Sequence, residues 1–291
     1  MNSFTYLEPE DLKEALATLA RYGEEAKVIA GGTGLINLMK QQLVQPAYLV
    51  GLRRLTALTG MQHNGGLRLG ALCTQRAIET SPMVREHFPL LTETCHQVAS
   101  IRIRTLATIG GALAHADPNQ DTPPALITMD ARVQVRSEKG AREIPASEFF
   151  TGYYETVLAP DDLITEVVIP AQPSGSGAAF LKFLPQTQDD YATVAVAARV
   201  SLQDGRIGDA RVALGAAAST PLRATVVEHA LRGQTPAPST LREAAGLVAG
   251  IVDPISDFRG SAGYKREMAV VFVRRALEQA IARAHTGAGA R

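Results

Sequence analysis

The chain has 291 residues, with 29 basic and 29 acidic side chains, and 46% of its residues are apolar. That length suits about two domains, and that apolar content suffices for a core without disulfide or metal staples. The even charge argues against a general nucleic-acid binder, and no apolar run approaches the roughly 20 residues of a membrane span.

The first residues, MNSFTYLEPEDL, lack the charged-then-apolar layout of a secretory signal, so a cytoplasmic protein is expected. Cys73 and Cys95 lack CxxC spacing, so this chain alone is not expected to hold a disulfide framework, a zinc ion or an iron–sulfur cluster. Cys95 and His96 are adjacent, and neighbours on a helix point about 100° apart, which argues against a nucleophile–base pair.

Residues 4–7 read as a strand. Pro9-Glu10-Asp11 opens a helix that carries Leu12, Ala15, Leu16 and Leu19 on one face and ends at Gly23. Next comes Lys27 to Lys40, KVIAGGTGLINLMK. Val28-Ile29-Ala30 reads as a buried strand, Gly31, Gly32 and Gly34 as a tight turn around Thr33, and Leu35 onward as a helix. Such a unit aims free N–H groups and the positive helix end at one spot, and glycine lets a ligand come close. The natural ligand is a phosphate group; the alternative is a plain glycine turn. No Gly-Lys-Ser/Thr follows, so this is not a P-loop, and Asn37 at the third glycine position rules out the Rossmann fingerprint. Ala47 to Leu52 adds a strand and completes a β-α-β-α-β lobe.

A hairpin is expected from Ala57 to Gln62 and Leu67 to Leu72 about Asn64-Gly65-Gly66, then helices over 74–80 and 82–98. A second glycine-rich stretch, IRTLATIGGALAHADPNQD, runs from Ile103 to Asp121. Thr108-Ile109-Gly110-Gly111 pairs two glycines, His115 to Pro118 is a turn signal, and a short helix is expected over 123–130. Two phosphate-type loops suit a dinucleotide. Asp117 and Asp121 each have two readings, as an acceptor for a sugar hydroxyl or as a cap or turn side chain.

Residues 131–137 and 142–145 suggest a hairpin around Lys139-Gly140, and Val167-Val168-Ile169 a strand ended by Pro170. Gln172 to Gly177 reads as a linker. Beyond it, Phe180 to Phe183, Val194 to Leu202 and Ala210 to Leu214 read as three antiparallel strands, with a turn at Gly205. Helices follow over 222–232, 239–252 and 262–284, the last with Met268, Val271, Phe272 and Ala276 on its inner face. Residues 286–291 are expected to fray. The expected class is α+β, with one domain over 1–172, in lobes of about 1–55 and 56–172, and a second over 178–286.

Several segments keep the order and spacing of a known family: AGGTGL at 30–35, IRTLATIGG at 103–111, HADPNQD at 115–121, DDLITEVVIP at 161–170, and FLKF at 180–183 with Asp189 to Ala192. Tyr264 to Ala269 adds to them. Together they resemble the FAD-binding medium subunit of the molybdenum hydroxylases, the group of carbon monoxide dehydrogenase, xanthine dehydrogenase and related oxidoreductases. The resemblance implies a two-lobed FAD domain of the vanillyl-alcohol-oxidase (PCMH-like) type and a C-terminal domain with a three-stranded sheet. It implies a molybdopterin-bearing large partner that performs the hydroxylation, a small partner with two [2Fe–2S] clusters, and a dimer of heterotrimers. Electrons would reach FAD in this chain and leave to an external acceptor.

Position by position, Val28, Ile29, Ala30, Gly31, Gly32, Thr33, Gly34 and Leu35 would wrap the FAD pyrophosphate. Thr108, Ile109, Gly110 and Gly111 would form the second loop. Asp121 would bind a sugar or ribityl hydroxyl, and Asp117 is placed among the cofactor-binding positions. Ile164 would pack near the isoalloxazine, and Lys182 would sit near its polar end, where a cation favours reduced flavin. Tyr191 would stand beside the flavin or along the acceptor's approach. Without the resemblance, Lys182 reads as a solvated strand residue and Ile164 as ordinary core. No catalytic or metal-binding residue is implied in this chain. Gly34, Thr105 and Ala112 depart from the family's usual polar side chains. Two other functions compete: a self-sufficient flavin oxidase, for which the scattered histidines offer no substrate base, and a non-enzymatic assembly module.

Overall fold

The computed structural model describes residues 3–185, 187 and 189–288. The first unit runs β1 (Thr5–Leu7), α1 (Leu12–Tyr22), β2 (Ala26–Ile29), α2 (Leu35–Lys40) and β3 (Tyr48–Gly51). Its three strands are parallel, in the order β1-β3-β2. Asp11 caps α1 by accepting from the Glu14 N–H at 2.8 Å, and Gly23, at φ +50°, ends it. Ala15 and Leu19 of α1 then pack on Val50 and Leu52.

The second unit starts with β4 (Met61–His63) and β5 (Leu67–Gly70). Six short helices follow: α3 (Gln75–Thr80), α4 (Pro82–His87), α5 (Pro89–His96), α6 (Ile101–Leu106), α7 (Ile109–His115) and α8 (Thr122–Thr128). Then come β6 (Arg132–Ser137), β7 (Gly140–Pro145), the small pair β8 (Phe150–Gly152) and β9 (Glu155–Thr156), and β10 (Leu163–Ile169). An antiparallel sheet of order β4-β5-β10-β6-β7 results, with β10 at its centre. Two expectations need correction. The helix over 82–98 is two helices, because Pro89 has no N–H to donate and drives Phe88 out of helical geometry (φ −136°, ψ 56°). The Thr108–Gly111 stretch is no open loop: Thr108 caps α7, and both glycines lie inside that helix.

The third unit is β11 (Ser176–Phe183), β12 (Val194–Gln203), β13 (Arg206–Gly215), β14 (Leu222–Arg223), α9 (Thr225–Leu231), α10 (Pro238–Gly246) and α11 (Ala262–Ala288). The sheet has four antiparallel strands, not three, because Leu222 and Arg223 pair with Leu214 and Ala213 before α9 begins. β11 starts at Ser176, inside the expected linker. α11 runs through Thr286, where fraying was expected; residues 289–291 of that expected tail lie outside the described residues. The buried face of α11 is Ala269, Val273, Ala276, Leu277, Ala280 and Ala284; of the expected face, Ala276 is buried, Met268 and Phe272 pack half-buried against the same core, and Val271 lies outside it. Small residues let this helix lie close on the sheet: a Cβ at Gly177 would sit 2.2 Å from the Ala280 carbonyl oxygen.

β12 joins the units. Its residues alternate, with Ala195 and Ala197 in the core shared with Leu126 and Ile109, and Val194, Val196 and Val200 in the core under the helices. α8 is buried along its length and lies on β12 and β13, with the Thr128 hydroxyl donating to the Ala197 carbonyl at 3.3 Å. At its end Asp130 accepts from Arg199 and Arg211, each at 3.1 Å. Among the described residues, no helix is long and apolar enough to cross a membrane. Leu126 is fully buried at this seam. Leu126→Ala should therefore cost about 2–5 kcal/mol in denaturant unfolding; a loss under about 0.5 kcal/mol would show that α8 does not cement the units.

Candidate functional site

The three units enclose a cleft of about 760 Å3. Val28 to Leu35 line it from the first unit, Thr108, Gly110, Gly111, Asp121 and Ile164 from the second, and Lys182 and Tyr191 from the third. The two glycine-rich stretches thus face one space. In the first, Ile36 donates to the Gly32 carbonyl and Leu38 to that of Gly34, while no N–H from Ala30 to Gly34 donates to another described residue. Those main-chain donors remain for a ligand. Gly32 holds φ +71°, in the left-handed region. A Cβ at Gly31 would fall 1.9 Å from the Leu106 carbonyl oxygen, and one at Gly34 would fall 2.7 Å from the His115 ring. The departure at Gly34 thus has a local cause, because His115 occupies the space a side chain would need.

The second stretch differs from expectation. Ile109 donates to the Cys73 carbonyl, Gly110 to that of Ala71, and Gly111 to the Thr108 hydroxyl, at 2.9, 2.9 and 3.0 Å. These three N–H groups are spent, so from Ile109 to Gly111 the main chain supplies packing rather than a second set of phosphate donors. Ile109 is fully buried and does not line the cleft. Gly110 serves packing: its Cβ would meet Ala71 at 2.7 Å.

Asp121 stands just before α8, yet its side chain does not cap that helix. Instead, Oδ2 accepts from Lys182 Nζ at 2.7 Å, and Oδ1 is buried with no partner. Lys182 also donates to the Gln97 carbonyl at 3.0 Å, and its side chain is 1% exposed, so it is not a solvated strand residue. Burial pushes the Asp121 carboxyl up to about 6, against the pull of the Lys182 ammonium. Two residues that sequence reasoning missed, Gln75 and Thr122, also line the cleft and also carry a buried side-chain oxygen without a partner. No local pattern marks either residue; only their convergence with Asp121 does.

Asp117 does not line the cleft. Its Oδ1 accepts from the Asn119 N–H and side-chain amide, both at 2.9 Å, and its Oδ2 from the Tyr154 hydroxyl at 3.0 Å. It is a turn side chain that holds Tyr154. Tyr154 lines the cleft and meets His115 edge-on at 5.2 Å; the short β8–β9 hairpin that carries it was not legible in the sequence. Burial pushes the Tyr154 hydroxyl up to about 12, with Asp117 adding to the shift, and burial lowers His115. Both therefore face the cleft uncharged near neutral pH.

Main-chain donors, orphaned acceptors, one buried cation and the apolar wall at Ile164 fit a flavin dinucleotide. Each supplies what one part of it requires: phosphate, sugar hydroxyls, the polar edge of the ring and its face. Comparison with known proteins agrees. Residues 2–172 match the family described as the FAD binding domain in molybdopterin dehydrogenase, and residues 179–280 match the CO dehydrogenase flavoprotein C-terminal domain. The chain is 37% identical to the carbon monoxide dehydrogenase medium chain of Afipia carboxidovorans, over 97% of this chain and 98% of that one. It is 34% identical to the nicotine 6-hydroxylase medium subunit of Paenarthrobacter nicotinovorans, over 96% and 97%. Among solved structures, it resembles a chain of a Cu,Mo-CO dehydrogenase in its cyanide-inactivated form (36% identity, 97% of this chain and 99% of that chain, TM-score 0.93). It also resembles one of quinoline 2-oxidoreductase from Pseudomonas putida 86 (33% identity, 97% and 98%, TM-score 0.91). The chain belongs to the FAD-binding medium subunits of the molybdenum hydroxylases, the family of the carbon monoxide and xanthine dehydrogenases.

Proposed function

We propose that this chain holds FAD in the cleft between its three units and carries electrons from iron–sulfur clusters of a small partner subunit to an external acceptor. The hydroxylation itself belongs to a molybdopterin-bearing large subunit, and the whole assembles as a dimer of heterotrimers in the cytoplasm. Residues 1–172 take the two-lobed vanillyl-alcohol-oxidase form. When bound, FAD supplies both one-electron and two-electron redox chemistry.

The residues of this chain bind and orient. The N–H groups from Ala30 to Gly34 point their donors at the pyrophosphate, where glycine lets the backbone approach. Asp121 Oδ1 accepts from a sugar or ribityl hydroxyl. Lys182, held between Asp121 and the Gln97 carbonyl, places its charge near the polar edge of the ring. Ile164 presents an apolar face, and Tyr191, 42% exposed, stands at the mouth on the side open to an acceptor. The orphaned Asp121 oxygen carries this reading, because a buried acceptor without a donor costs about 1–3 kcal/mol and a ligand hydroxyl removes that cost.

The purified chain or its complex should be yellow and release FAD on denaturation; a stable, folded complex with no flavin at any stoichiometry would refute the assignment. A pH dependence follows from Asp121. A hydroxyl donates to the ionised carboxylate, so protonation competes with binding. Affinity for FAD should be level above the value of about 6 held by Asp121 and fall as the pH drops below it, by at most about tenfold per pH unit. Asp121→Asn should bind more weakly throughout and lose that dependence. Titration of the apo chain with FAD between pH 5 and 8 measures both; an unchanged slope in Asp121→Asn would assign the effect to another group.

A further inference from the structure

Between α5 and α6 the wall of the cleft is a link of four residues, Gln97 to Ser100, of which Val98 and Ala99 line the space. Ala99 holds φ +35°, a left-handed conformation disfavoured for a residue with a Cβ. The carbonyls of its first three residues are taken by cationic side chains. Lys182 Nζ donates to that of Gln97 at 3.0 Å. Arg104 Nη1 donates to those of Val98 and Ala99 at 2.9 and 2.7 Å.

Arg104 is itself fixed from behind. Its side chain is 9% exposed, and its Nε donates to Glu79 Oε2 at 2.9 Å. Glu79 also pairs with Arg76 at 3.0 Å and His96 at 2.7 Å. Burial pushes the Glu79 carboxyl up, but hydrogen bonds from His96, Arg76 and Arg104 outweigh it and hold it at about 2. The carboxylate therefore stays charged across the working pH range. A guanidinium can grip a carboxylate on one edge and two carbonyls on another; an ammonium lacks that rigid fork.

We infer that Arg104 is a positioning residue for the FAD cleft: anchored on Glu79, it fixes the Val98 and Ala99 carbonyls and so imposes the left-handed turn at Ala99 that shapes the wall. The inference rests on the FAD reading above. A simple brace between α3 and α6 would use the same Glu79–Arg104 pair but would not act through Ala99. The two differ in one respect. If Arg104 acts by holding the turn, a glycine at position 99, which takes that turn unaided, makes it dispensable for binding.

The test is FAD titration of the full-length apo chain, with thermal melting of the same samples. Arg104→Met should weaken FAD binding about tenfold or more, and Arg104→Lys by less. Adding Ala99→Gly to Arg104→Met should recover most of the affinity without restoring the melting temperature. The inference is overturned if Arg104→Met binds FAD within twofold of the unaltered chain, or if Ala99→Gly recovers no affinity. Should Arg104→Met fail to fold, the pair Arg104→Lys and Arg104→Lys with Ala99→Gly carries the same comparison. Failure of the unaltered chain to bind FAD is a separate result, which overturns the parent reading and this inference with it.

Discussion

The ion pair between Asp121 and Lys182 ties the site together. It is almost fully buried, it crosses from the α7–α8 region to β11, and it leaves one carboxylate oxygen open to the cleft. Taking both charges out of water costs several kcal/mol per ion, which mutual attraction and added hydrogen bonds only partly offset. The pair is weak evidence for stability. It is better explained as a fixed electrostatic element, with a cation and an acceptor held in one geometry from two different units. Everything around it serves that geometry. α8 is seated on β12 and β13, Asp130 gathers Arg199 and Arg211 at the far end of α8, and the Gln97 carbonyl gives Lys182 a second acceptor.

A second constraint is closeness. The first glycine turn lies so near the end of α6 that a methyl at Gly31 would overlap a carbonyl oxygen, and Gly34 lies against the His115 ring. Backbone from two units can share one narrow cleft only where side chains are missing. This is why glycine recurs on both sides, although the N–H groups of Ile109, Gly110 and Gly111 are already taken. The same composition therefore does two jobs: it exposes donors between Ala30 and Gly34, and it permits helix-on-strand packing at Gly110.

Much of this was legible in the sequence. The strand–glycine–helix unit, the parallel lobe and the order of strands and helices follow from local pattern, because apolar periodicity and glycine turns are local signals. What failed was non-local. Thr108 to Gly111 has the composition of a loop, but the carbonyl partners of its N–H groups, at Cys73 and Ala71, lie far away in the chain. Leu222 and Arg223 look like the start of a helix until β13 is there to pair with them. The buried face of α11 was only partly placed because alanines share it with Val273 and Leu277, and only the sheet's nearness shows it. Asp121 had two readings from local sequence and Lys182 was named from resemblance; their partnership, and the roles of Gln75, Thr122, His115 and Tyr154, depend on contacts that no spacing encodes.

The most direct test of the account is a crystal structure of the intact complex with its flavin bound. It should show the FAD pyrophosphate against the main chain of Ala30 to Gly34, and one sugar or ribityl hydroxyl within hydrogen-bond distance of Asp121 Oδ1, with the Lys182 pair unbroken. Flavin density outside this cleft, or an Asp121 oxygen still without a donor in the presence of bound flavin, would contradict it.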